Sequence, residues 1–175
     1  MTSSVGTGSK TRTVAGLRPF LPADTPLLAE IFRASILELT AEDYSEAQQA
    51  AWTASAGDEE AFGARLAGEL TLVATIDGEA VGFAALRGKD VVDMLYVHPA
   101  VAGQGIGAQL IDALERLAAA RGATQLTADA SDTALGFFEH RGFVAQRRNS
   151  VACNGEWLAN TTVLKTLTAP VRSTP

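Results

Sequence analysis

Cysteine is almost missing from this chain of 175 residues, where Cys153 stands alone. One thiol excludes an intramolecular disulfide and any metal site built from several cysteines, and it fits a reducing compartment. Histidine is scarce too, with only His98 and His140. No cluster of His, Asp and Glu has metal-ligand spacing, so no metal is expected. Basic residues fall short of acidic ones, 14 against 20, giving a formal net charge of −6 and a pI near 4.9. Such a chain is repelled by phosphate backbones, and its one notable basic cluster, Arg141, Arg147 and Arg148, reads as a solvated face. No apolar run reaches the length of a membrane span, and the opening MTSSVGTGSKTR lacks the apolar centre of a signal peptide. A soluble, cytoplasmic protein engaging neither nucleic acid nor membrane is expected.

What is present suits one globular domain: 47% apolar and 19% charged residues, over a length able to bury its own core. Residues 1–11 and 170–175 are small and polar and read as disordered tails flanking a domain over 12–169. A short strand is predicted over 13–17. Asp24-Thr25-Pro26 supplies a cap and an N-terminal proline for a helix over 25–39, whose apolar residues recur at helical spacing. One or two more helices follow over 41–54 and 58–70, broken at Gly57. The period then changes to that of strands, over 70–75, 80–86 and 91–97, with Asp77-Gly78 as a hairpin turn. After a glycine-rich loop, Ile106, Leu110, Ile111, Leu114, Leu117 and Ala118 share one face of a helix. A strand over 124–128, a short helix capped by Ser131-Asp132 and ending at His140, and two strands over 143–153 and 156–167 joined at Asn154-Gly155 complete the chain. The pattern is of the α/β (α+β) class, a mixed sheet with helices packed on it.

The loop Ala102-Gly103-Gln104-Gly105-Ile106-Gly107 joins a strand to a helix, and this arrangement makes an anion site. Glycines let backbone N–H groups turn toward a ligand, and the helix N-terminus adds partial positive charge. Either it is a plain tight turn or it holds a pyrophosphate. Asp129 lies about where a dinucleotide-binding βαβ unit places its ribose-binding acid. The strands before the loop form an antiparallel meander, however, and this argues against that fold.

Leu95-Tyr96-Val97-His98-Pro99, followed by Gly103-Gln104-Gly105-Ile106-Gly107, resembles the acyl-CoA site of GNAT acyltransferases, written L-x-V-x-P and Q/R-x-x-G-x-G/A. Further on, Ala134-Leu135-Gly136-Phe137-Phe138-Glu139-His140-Arg141-Gly142-Phe143 resembles that family's A-x-x-F-Y-x-x-x-G-F. The resemblance covers about residues 12–168. Asp43-Tyr44-Ser45 with Trp52, and Gly155, Trp157, Leu158 and Asn160, resemble a bacterial branch of acetyltransferases whose substrates are mostly unassigned.

The resemblance implies the GNAT fold, a mixed and mostly antiparallel sheet with helices on both faces. It implies acetyl-CoA as cofactor and direct transfer of an acetyl or other short acyl group to a primary amine in a ternary complex. By resemblance, Leu95, Tyr96 and Val97 hold the pantetheine arm, with a bulge near Leu95 and Tyr96 aiming an N–H at the thioester carbonyl. Gly103, Gln104, Gly105, Ile106, Gly107 and Ala108 hold the pyrophosphate, and Ser131, Ala134, Phe137 and Phe138 border the rest. Two positions depart from the pattern. Ala102 stands where Gln or Arg is usual, and Phe138 replaces a tyrosine that commonly protonates the departing thiolate. Asp93 falls where some members place a glutamate base; it is either such a base, acting through water, or a solvent-facing strand residue. Tyr96 is either an acid or a packed sheet residue. Tyr44, Trp52, Trp157 and Asn160 border the acceptor cleft or pack the core. The acceptor is a small-molecule amine or a protein amine, and pairing of two copies through the last hairpin is open. A non-catalytic acyl-CoA-binding regulatory module is the alternative function.

Overall fold

The computed structural model describes residues 12–168; the two expected tails, 1–11 and 170–175, lie outside the described residues. In chain order the elements are β1 (Gly16–Pro19), α1 (Thr25–Leu39), α2 (Glu46–Thr53), α3 (Glu59–Gly68), β2 (Leu70–Ile76), β3 (Glu79–Arg87), β4 (Val91–Val97), α4 (Ile106–Ala120), β5 (Gln125–Ser131), α5 (Leu135–His140), β6 (Val144–Cys153) and β7 (Glu156–Thr166). They build a seven-stranded sheet in the order β1-β2-β3-β4-β5-β7-β6. Every pairing is antiparallel except that of β4 with β5.

Local chemistry explains most of these elements. Asp77 and Gly78 have φ of 51° and 82°, and Asn154 and Gly155 have 44° and 88°, the paired left-handed conformations that a two-residue hairpin needs. Ser45 caps α2 by accepting from Gln48 N, while the Gln48 side chain accepts from Ser45 N, a reciprocal capping box. The region over 41–54 was expected to be helical throughout. It starts instead at Ser45, because residues 41–44 form a turn closed by Thr40 O, which accepts from Asp43 N and Tyr44 N. The helix expected from Ser131-Asp132 begins four residues later, since Ser131 still belongs to β5 and its Oγ accepts from Ala134 N. The first strand is likewise shifted, to Gly16–Pro19.

Two apolar layers cover the sheet. On one face, Ile106, Leu110, Ile111 and Leu114 of α4 pack on Ala84, Leu86, Leu126 and Ala128. On the other, Leu28, Ile31, Phe32 and Ile36 of α1, with Phe62 and Leu66 of α3, cover Val73, Phe83, Ala85 and Met94. Each fully buried leucine or isoleucine here contributes about 1.5–3 kcal/mol.

Two irregularities of β4 shape the centre. Ala85 pairs with Met94 but Leu86 pairs with Val92, so Asp93 is an extra residue in the strand. That bulge lies at Asp93 rather than near Leu95 and Tyr96, where the register with β3 is unbroken. It resets the alternation: Val92 and Leu95 join the α4 face, whereas Met94 and Tyr96 join the α1 face. The second irregularity is a fork. β4 and β5 pair only through Val91 with Thr127 and Val92 with Ala128, and beyond that they part.

Candidate functional site

The fork opens a cleft of about 920 Å³. One wall is β4 from Val92 to Val97, another is β5 from Ala128 to Ser131, and the floor is the loop entering α4. Gly103 and Gly105 hold φ of 76° and 87°, a region L side chains avoid. The amides of Gly103, Gly105, Ile106, Gly107 and Ala108 donate to no acceptor among the described residues. Five such amides at the start of a 15-residue helix are donors waiting for an anion. Arg12 lies over this loop, its Cγ and Nε 3.4 and 3.9 Å from where a Gly105 Cβ would sit. The segment is tied down by Thr13, whose Oγ1 donates to Gln104 Oε1 at 2.7 Å, and by Gln109, whose Nε2 donates to Thr13 O at 2.6 Å. Arg12 therefore brings a guanidinium to a loop whose position 102 is only alanine. Arg141, paired with Asp112, also lines the cleft.

A smaller cavity of about 350 Å³ adjoins it. It is roofed by Phe32, Tyr44 and Trp52, and closed on the far side by the β6–β7 hairpin. Tyr44 and Trp52 meet edge to face with centroids 5.4 Å apart, and Phe32 and Tyr96 do so at 4.7 Å. Tyr44 holds this roof in place: its hydroxyl donates to Ala159 O at 2.6 Å and accepts from Asp132 N at 2.9 Å. Trp52, Asp93, Met94, Tyr96, Asp129 and Ser131 line both spaces and so mark where they meet.

The charged groups at that junction differ in their partners. Asp93 Oδ2 accepts from Arg65 Nε at 2.9 Å and Nη2 at 2.6 Å, and Oδ1 accepts from Arg87 Nη1 at 3.0 Å. Its side chain is only 7% exposed. Both oxygens are thus occupied and the side chain is buried, so Asp93 is not the solvent-facing strand residue that was one of its two expected roles. Beside it, Glu69 Oε2 is buried with no partner among the described residues. Burial first, then the neighbouring Asp93 carboxylate, push the Glu69 carboxyl up to about 7. Burial also pushes the Tyr96 phenol far up, against a smaller opposing effect of a hydrogen bond with Trp52. Burial therefore keeps the Tyr96 hydroxyl protonated, a hydrogen-bond donor at the junction and a weaker acid than a free phenol.

Of the expected cofactor residues, Leu95, Tyr96, Val97, Gly103, Gly105, Ile106, Gly107, Ala108, Ser131, Ala134, Phe137 and Phe138 all border the larger cleft. Gln104 does not, because its side chain turns to Thr13. Phe138 is 4% exposed and meets both Phe137 and Phe143 edge to face. Of the expected acceptor residues, Tyr44, Trp52 and Asn160 line the smaller cavity. Trp157 does not: it is 64% exposed on the outside of the hairpin. Strand alternation explains this, since Leu158 and Asn160 face the cavity on one side or at its rim while Trp157 points to solvent. Arg12, Arg65, Glu69 and Arg87 were not singled out from the sequence; no local pattern marks them, because their roles come from tertiary neighbours.

The model of the Acetyltransferase (GNAT) domain family matches residues 40–160. An uncharacterized N-acetyltransferase of Escherichia coli K12, YafP, is 33% identical over 144 residues, covering 82% of this chain and 91% of that protein. A crystal structure of a GCN5-related N-acetyltransferase from Rhodopseudomonas palustris is 58% identical, with a TM-score of 0.89 over 91% of this chain and 100% of that one. The PaiA N-acetyltransferase of Thermoplasma acidophilum, crystallised with coenzyme A, is 19% identical and shares the fold at a TM-score of 0.74, over 88% of this chain and 99% of its own.

Proposed function

Because this chain belongs to the GNAT acetyltransferase family, we propose that it transfers an acetyl or short acyl group from acyl-CoA to a primary amine, by direct attack within a ternary complex. The observation that carries this reading is the fork between β4 and β5, with five unpartnered amides at its foot. A pantetheine arm is strand-like and can bond to the exposed edge of β4 at Leu95 and Val97. The phosphates suit the amides of Gly103 and of residues 105–108, with Arg12 supplying the positive charge that position 102 lacks. The coenzyme A in the Thermoplasma relative supports the same cofactor. Acyl-CoA supplies an activated thioester carbonyl when bound.

The protein's own groups then serve the transfer. The roof of Phe32, Tyr44 and Trp52 excludes water from the acceptor, which favours its neutral form; an alkylamine otherwise holds its proton up to about pH 10. Tyr96, at the junction and kept protonated by burial, offers the departing sulfur a hydrogen bond in place of Phe138, and the thiolate, a fair leaving group, takes its proton from water. Asp93 anchors Arg65 and the bulge. A cavity of about 350 Å³ closed by a hairpin favours a small-molecule amine over a protein amine. The outer edge of β6, with Val144 and Val151 exposed, supports pairing of two copies there. A single-chain mass in light scattering would dismiss such a dimer.

The test is thermal unfolding against acetyl-CoA, longer acyl-CoAs, free CoA and NAD(H), followed by thiol release with an amine panel. Stabilisation by an acyl-CoA with turnover is expected. The absence of Tyr at position 138 favours the second reading, an acyl-CoA-binding module without catalysis. Stabilisation with no thiol release on any amine would select that reading, and no stabilisation by any CoA species would dismiss both.

A further inference from the structure

Asp129 sits at the mouth of the acceptor cavity and differs from every other charged group there. It faces the α1 side of β5, and it lines both the acyl-CoA cleft and the smaller cavity. Its Oδ1 accepts from Thr162 Oγ1 at 2.6 Å. Thr162 Oγ1 in turn accepts from Asn149 Nδ2 at 2.9 Å, and the same amide donates to Asn160 Oδ1 at 2.9 Å. This chain of side chains fixes the carboxylate from the β6–β7 hairpin. Oδ2 has no partner among the described residues. The charges lining the smaller cavity are Arg65, Asp93 and Asp129. Arg65 is bonded to Asp93, and Asp129 is left as the uncompensated one.

We infer that Asp129, rather than Asp93, is the carboxylate that engages the acceptor nitrogen, and that the acceptor is a primary amine carried on a flat apolar body. The inference rests on the acyl-transfer reading for the reaction, but not for the binding of the amine. Phe32, Tyr44, Trp52 and Tyr96 line the smaller cavity and give it the aromatic wall that suits a flat apolar body. The anchored oxygen pair offers the nitrogen a fixed acceptor, which a mobile carboxylate would not. In the reaction, the ammonium first loses one proton to solvent. As nitrogen bonds the acyl carbon it becomes cationic, and Asp129 Oδ2 takes one of its two protons, leaving the other as the amide N–H. The carbon–sulfur electron pair leaves on sulfur, which accepts a hydrogen bond from Tyr96 and regains its proton from water, while Asp129 returns its proton to water to reset the site.

Binding of benzylammonium and of its neutral analogue benzyl alcohol, followed by NMR in the presence of saturating free CoA, tests the assignment. The parent protein should bind the cation more tightly than the alcohol. Asp129→Asn, which still accepts from Thr162, should weaken the cation about tenfold and leave the alcohol and free CoA within about twofold. Turnover of acetyl-CoA with benzylamine, phenethylamine or tryptamine should fall about 100-fold in Asp129→Asn and recover in part in Asp129→Glu. Equal binding of cation and alcohol by the parent, or equal cation binding by parent and Asp129→Asn, would overturn the role of Asp129. Neither binding nor turnover of any of the three amines would overturn the substrate class. Failure of acetyl transfer altogether would show separately, as loss of acetyl-CoA binding or as binding without thiol release.

Discussion

The Glu69 carboxyl is raised to about 7 from 4.5, by burial and by Asp93. The folded state therefore binds more protons than the unfolded chain between those values. The stabilising share of Glu69 is complete below about pH 4.5 and is lost as pH climbs through about 7. Glu69→Gln stays neutral beside Asp93 at every pH. It should gain stability relative to the parent as pH rises through that window, read from urea midpoints; a pH-independent difference would mean that Glu69 ionises freely. Tyr96→Phe removes the hydroxyl and little volume. We expect kcat to fall about 10²-fold or more with acetyl-CoA affinity unchanged, so an unchanged kcat would remove Tyr96 from the chemistry. Arg12→Ala should weaken acetyl-CoA about tenfold and flatten the salt dependence of its binding. Titrations at two ionic strengths would expose any failure of that expectation.

Between elements, one hydroxyl does much of the joining. Tyr44 links the turn after α1 to β7 and to the loop after β5. Tyr44→Phe leaves Ala159 O and Asp132 N without that partner, and should cost about 1–3 kcal/mol in urea unfolding. A loss near zero would mean water replaces the hydroxyl. The elements themselves were largely legible in the sequence. α1 over Thr25–Leu39 and β4 over Val91–Val97 have the expected bounds, since a long apolar period and a glycine turn leave few alternatives. Less legible were features decided by neighbours. The bulge at Asp93 depends on how β3 and β4 register, and the late start of α5 depends on β7 holding Ser131 in the sheet through Asn160. At the site, the glycine loop could be read because backbone geometry demands particular residues. The Arg65–Asp93–Arg87 group and Glu69 could not, because residues from α3, β3 and β4 meet only in the folded chain.

For the molecule as a whole, an acidic chain of net charge −6 must receive a polyanionic cofactor. Its long-range field opposes that association, so the attraction has to be local, from amides, Arg12 and Arg141. Among the described residues no helix is long and apolar enough to cross a membrane. The fork has a further effect on the whole sheet. β1–β4 and β5–β7 are stitched by two residue pairs alone, Val91 with Thr127 and Val92 with Ala128. Past that stitch, the facing edges of both strands part, so these edges are the place where amide hydrogen exchange should be fast within the sheet. A strand-like guest in the gap would act as a missing strand, and its departure would leave the two half-sheets held by the stitch and by the α4 layer that packs across it.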